Sequence, residues 1–157
     1  GGLVYAIGSR DPEVAIDANT EEGKKLYVQG GTIIAVGKLE SGASITGGTA
    51  KQTTSWTAET WYALYNGGEL VAAFKTPSQS SSSSGGGGGP GGRPGGGGGS
   101  QALVVYASST PTLTSGVTVS GGTEYFAGAA NIGGTVSGGS SVTLSNYTSS
   151  GGPGGRP

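Results

Sequence analysis

Leu26-Tyr27-Val28-Gln29-Gly30-Gly31-Thr32-Ile33-Ile34-Ala35-Val36-Gly37 is the stretch from which a fold is read. Leu26 and Val28 alternate with Tyr27 and Gln29, and Ile33 and Ala35 alternate with Thr32 and Ile34, so each half has the period of two of a half-buried strand. Gly30-Gly31 permits a sharp corner between them, because a residue without Cβ takes positive φ freely. The stretch predicts two short strands meeting at a bend.

The unit recurs. Gly1-Gly2-Leu3-Val4-Tyr5-Ala6-Ile7-Gly8, Gly30-Gly31-Thr32-Ile33-Ile34-Ala35-Val36-Gly37 and Gly67-Gly68-Glu69-Leu70-Val71-Ala72-Ala73-Phe74 align without a gap. Weaker copies begin at Gly47-Gly48, Gly121-Gly122, Gly133-Gly134 and Gly138-Gly139. Glycine corners repeating at intervals of roughly 17 to 30 residues are the trace of a solenoid, in which no coil buries its inner face until the next stacks on it. The expected fold is therefore all-β, a parallel β-helix with Val4, Ile33 and Leu70 along one aliphatic column.

Composition fits a narrow core. The chain has 157 residues, 36 of them glycine, with 32% hydrophobic residues and a net charge of −1. One modest domain is the most this supports. Eight lysines and arginines, scattered, do not form the basic patch that nucleic acid or an anionic membrane requires. Cysteine, histidine and methionine are absent, which removes disulfides, thiol nucleophiles, imidazole chemistry and soft-metal sites. No apolar run approaches the ~18 residues of a transmembrane helix, and the first residues lack a signal-peptide pattern. The chain opens inside a repeat, so further β-helix coils of a parent protein are expected upstream.

Residues 1–79 read as coils. Within them, Val14-Ala15-Ile16-Asp17-Ala18-Asn19 alternates as a strand, and Thr20 to Lys25 is a charged loop. Residues 80–100, serine- and glycine-rich with Pro90 and Arg93-Pro94, cannot offset the entropy of ordering and read as a flexible insertion. The strands Val71–Phe74 and Ala102–Tyr106 on its two sides are expected to be neighbours. Residues 101–150 give Gly-separated segments too closely spaced for full coils. They are expected to form hairpins that cap one end of the core, with 151–157 as a flexible tail.

Val4-Tyr5-Ala6-Ile7-Gly8, Ala15-Ile16-Asp17-Ala18-Asn19 and Val28 to Gly37 resemble the carbohydrate-binding domain-containing β-helix proteins of gut Bacteroidetes and Clostridia. In that family Gly-Gly-Thr-Val strands and an Asp-x-Asn step recur; here the step appears once, at Asp17-Ala18-Asn19. The resemblance implies a right-handed parallel β-helix, secreted or attached to the cell surface, with a glycan-binding role.

Trp56, Trp61, Tyr62 and Tyr65 are the residues able to serve such a role, since an aromatic face stacks on the C–H face of a pyranose while Glu59 and Asn66 bond its hydroxyls. The alternative is that these aromatics pack over a sheet. Arg10, Asp11, Glu13, Asp17, Lys24 and Lys25 are candidates for glycoside cleavage, which needs two carboxyls ~5–10 Å apart or a base beside a cation. Only Asp17 of these sits on an evident strand. Asp17 and Asn19 supply too few oxygens for a Ca²⁺ site of six to eight ligands. The glycine pairs lack the lysine and helix of a phosphate loop. The expected function is an extracellular carbohydrate-binding or surface adhesion module without catalysis, cofactor or metal, whose partner is a polysaccharide. The alternatives are a polysaccharide-degrading β-helix enzyme and a structural stalk.

Overall fold

A computed structural model of the chain describes residues 2–8, 14–78 and 101–149. The insertion expected over 80–100, the tail over 151–157 and the candidates Arg10, Asp11 and Glu13 lie outside the described residues.

The chain is all-β, but it is not a parallel β-helix: it forms several separate sheets, none closed or solenoid-like. The first sheet has the order β1 (Leu3–Ile7), β3 (Thr32–Val36), β8 (Leu103–Ala107), β5 (Thr49–Thr53), β15 (Ser145–Asn146). The second runs β11 (Thr123–Tyr125), β12 (Ala130–Ile132), β7 (Glu69–Lys75), β6 (Trp61–Asn66), β9 (Pro111–Ser115), β14 (Ser140–Ser141). Two-stranded ribbons, β2 (Tyr27–Val28) with β4 (Ser44–Ile45) and β10 (Thr118–Ser120) with β13 (Thr135–Ser137), complete it.

Among the described residues, parallel pairing is confined to the first 46 positions. β1 lies on β3 with Leu3 opposite Thr32 and Ile7 opposite Val36. Ile16 bridges Leu39, and Tyr27–Val28 pair with Ser44–Ile45. The gap-free alignment of Gly1-Gly2-Leu3 on Gly30-Gly31-Thr32 is thus also the spatial register. The winding stops there, because β8 and not a third copy pairs with the far side of β3, and it does so antiparallel.

Why the third copy behaves differently is a matter of turn chemistry. Gly67 and Gly68 both have positive φ, 64° and 95°, and connect Asn66 directly to its partner Glu69. That is the geometry of a two-residue hairpin turn, whose twist matches antiparallel strands. At the Gly30-Gly31 corner only Gly31 is positive. Consequently β6 and β7 fold back on each other. Ile33 is buried in one core, whereas Val4 (46% exposed) and Leu70 (36%) line no column.

Two cores lie on opposite faces of the first sheet. Ile34, Val36, Leu103 and Val105 meet Tyr62, Leu64, Phe74, Leu113 and Ala130 of the second sheet, forming a central core between layers. Ile33, Ala35, Ala50, Val104 and Tyr106 point the other way, under a cover of Val28, Leu39 and Tyr147. The Tyr147 hydroxyl bonds the Leu39 backbone, and the Tyr106 hydroxyl donates to the Thr46 carbonyl at 2.6 Å. Both faces of β3 and β8 are therefore dry. β7 and β8, expected as neighbours, face each other through the central core without pairing.

The C-terminal segments form one long hairpin rather than several small caps. Ser115 lies opposite Ser140, Thr118 opposite Ser137 and Thr123 opposite Ile132, a constant register through three strand pairs. Its base pairs with β6 through β9, and its far end pairs with β7 through β12. The middle ribbon, β10 with β13, must bridge from one flank of the β6–β7 pair to the other.

Val14 to Asn19 is not a strand beyond the single bridge at Ile16. Asp17 Oδ1 instead accepts the backbone N–H groups of Ala18 and Asn19, and Asn19 turns left-handed (φ 51°) before a short 3₁₀ turn, Thr20–Glu22. Such local bonding by an aspartate competes with a sheet ladder.

Candidate functional site

Strand alternation sorts the six expected binding residues. On β6, Tyr62 and Leu64 point into the central core, leaving Trp61, Ala63 and Tyr65 on the outer face of the second sheet. Tyr62 is 1% exposed, its ring stacked on Phe74 with centroids 5.6 Å apart, and its hydroxyl accepts the Thr57 N–H at 2.8 Å. It is a core residue, out of reach of any ligand.

Trp56 packs against the same core, and its indole N–H donates to the Gln101 carbonyl at 2.7 Å. The Asn66 amide spans the turn opposite, donating to Ser108 Oγ and accepting the Ser109 N–H. One of its two N–H donors and one of its two acceptor lone pairs are committed to that loop. Glu59 is exposed, on a left-handed turn (φ 49°) whose N–H bonds the Pro77 carbonyl. The six residues do not form one platform.

What remains is the pair Trp61 and Tyr65, both half-buried on the outer face. Four residues of strand separate them by about 13 Å. Ala63 lies between them and is fully buried, as is Ala73 opposite. The β10–β13 ribbon shares this face: Asn131, in register with Ala73, donates its amide N–H to the Gly121 carbonyl. Each aromatic is thus a separate half-buried ring, with Thr112 and Thr114 of the neighbouring β9 on the same face.

The charged candidates are dispersed. Asp17 is exposed, and the Asn19 N–H, then the Glu40 carboxyl and the Ala18 N–H, hold its carboxyl below the usual aspartate range. Lys24 reaches Glu22 at 3.9 Å, both largely exposed, and the Lys25 ammonium sits 5.9 Å from the Tyr27 ring centre. Among the described residues no three acids gather where they could hold a metal ion.

Sequence reasoning missed a second aromatic region. Phe126 caps the long hairpin, and both it and Ala127 adopt left-handed φ values, 55° and 57°. Side chains with a Cβ pay roughly 1–2 kcal/mol each for that conformation. Phe126 is 48% exposed, and its ring meets Tyr5 edge-on at 6.0 Å. Tyr5 also contacts Phe74 at 5.7 Å and donates its hydroxyl to the Lys75 carbonyl; burial pushes its pKa up to about 12. In the tip Phe126-Ala127-Gly128-Ala129 the one turn signal, Gly128 (φ 87°), follows the two left-handed residues that carry side chains.

Compared with protein-family models, with curated proteins and with solved structures, the chain matches none. Nothing in those comparisons identifies the carbohydrate-binding β-helix family that the N-terminal repeats resemble.

Proposed function

We propose that this chain is an extracellular, non-catalytic module that attaches to neutral glycans or surfaces through partly exposed aromatic rings set among hydroxyl-bearing side chains. The observation that supports this most is the outer face of the second sheet. Trp61 and Tyr65 keep part of their rings accessible there, with Thr112 and Thr114 on the neighbouring strand. A ring stacked on a sugar gains from burial and C–H contact without needing charge. Two separate half-buried rings give weak contacts, suited to many copies acting together rather than to one tight site.

A glycan array probed with the wild-type chain, Trp61→Ala and Tyr65→Ala tests the reading. The expected result is binding to uncharged polysaccharides that drops roughly tenfold in each variant, about 1.4 kcal/mol. Equal binding by all three proteins removes this face as the site. A structural spacer is the second reading, favoured by the commitment of Trp56, Tyr62 and Asn66 to internal contacts. A folded wild-type protein that binds no glycan selects it.

A further inference from the structure

Among the described residues, every free sheet edge but one is short or charged. β15 and β14 are two residues long, and β11 is three residues with Glu124 at its centre. Short or charged edges are how soluble sheets avoid pairing with one another. β1 is different: five residues, Leu3-Val4-Tyr5-Ala6-Ile7, with no charge and no proline.

Its free backbone groups are easily assigned. The Gly2 carbonyl accepts from Thr32 and the Gly8 N–H donates to Val36, so Gly2, Val4, Ala6 and Gly8 face β3. Leu3, Tyr5 and Ile7 therefore direct their N–H and C=O groups away from the sheet, where no described residue pairs with them. Apolar side chains flank this edge on both faces. Ile7 (50% exposed) and Phe126 (48%) stand on the central-core side. On the other side, Val4 (46%) and Tyr27 (62%) border a groove of about 440 Å³ that opens onto Ile16, Val28 and Ile33.

We propose that β1 pairs antiparallel with β1 of a second copy of this chain across a two-fold axis at Tyr5. Leu3 then lies opposite the partner's Ile7 and Val4 opposite the partner's Ala6, and the two first sheets become one. The pairing is self-complementary, as an isologous interface requires, since the three outward residues are spaced by two on either side of the axis. Size favours it as well. The exposed halves of Val4, Ile7, Tyr27 and Phe126 give roughly 400 Å² of apolar surface per copy. The strand backbone and groove rim bring this toward the about 800 Å² per partner of a stable interface. No charged side chain lies within β1 to oppose its own copy.

Sedimentation equilibrium of the full chain from 1 to 500 μM tests the proposal, with Ile7→Lys and Leu70→Lys compared. The wild type is expected to dimerise reversibly. Ile7→Lys, which places two lysines beside the axis, raises the dissociation constant at least about 100-fold. Leu70→Lys, a change at another exposed aliphatic, beside the β6–β7 turn, leaves it within about twofold. Circular dichroism and thermal melts of both variants establish that they fold. A wild type monomeric over the whole range overturns the proposal. So does a dimer indifferent to Ile7→Lys, or an edge that binds an unrelated extended peptide while the chain stays monomeric.

Discussion

Gly48 offers a test of the fold in which geometry and conformational preference separate. A Cβ built on Gly48 would lie 2.3 Å from the Ala107 carbonyl oxygen and 2.8 Å from the Tyr106 ring and hydroxyl. Its φ is not in the left-handed region, so alanine there suffers no backbone penalty. At Gly68 the opposite holds, with φ +95° and nothing within 4 Å of a new Cβ. Gly68→Ala should therefore cost about 1–2 kcal/mol from conformation alone. Gly48→Ala must displace backbone in the β5–β8 ladder and disturb the Tyr106 hydroxyl bond to Thr46. We expect about 3 kcal/mol, the upper part of the range for overpacking a tight site. At roughly 4 °C per kcal/mol for a domain of this size, the melting midpoint falls by about 12 °C for Gly48→Ala and about 4–8 °C for Gly68→Ala. Urea denaturation monitored by tryptophan fluorescence gives both free energies. If Gly48→Ala is milder than Gly68→Ala, β5 and β8 are not packed as described.

Tyr62→Ala removes a fully buried stacked ring and should cost about 3–5 kcal/mol in urea denaturation, whereas Trp61→Ala on the outer face should cost less than half of that. Equal losses would mean that the two faces of β6 have been exchanged. Tyr5 predicts a pH dependence: its folded pKa, raised to about 12, stands above the ordinary value of 10. Its contribution is therefore complete below pH 10 and is lost as pH rises toward 12. Discounted for partial exposure, this amounts to about 1–2 kcal/mol. Stability between pH 9 and 12 should fall less steeply in Tyr5→Phe than in the wild type, and parallel curves would contradict the burial of Tyr5.

Local strand pattern was legible, but the way strands assemble was not. Leu26 to Gly37 does hold two strands joined at a glycine corner, and the repeat alignment of Gly2-Leu3 with Gly31-Thr32 gives the register of β1 on β3. A Gly-Gly pair alone does not say whether the chain stacks or reverses. Asn66 before Gly67-Gly68 is a hairpin signal that the repeat alignment obscured. The candidate site failed for a related reason. Grouping Trp61 with Tyr62 as one platform overlooked that adjacent strand residues point to opposite sides, and which side is dry depends on β8, supplied some forty residues later. Phe126 was illegible because turn rules do not favour two left-handed residues with side chains of that kind.

The double burial of the first sheet alters what holds β3 and β8 in place. A strand with one wet face cannot slip by a residue without drowning its apolar half. Thr32-Ile33-Ile34-Ala35-Val36 and Leu103-Val104-Val105-Tyr106-Ala107 have no such safeguard, because a slip would exchange one greasy set for another. Alignment must instead be indexed by shape. The notch at Gly48, which admits the end of Tyr106 and the Ala107 carbonyl at one position only, acts as the detent that keeps these strands from sliding.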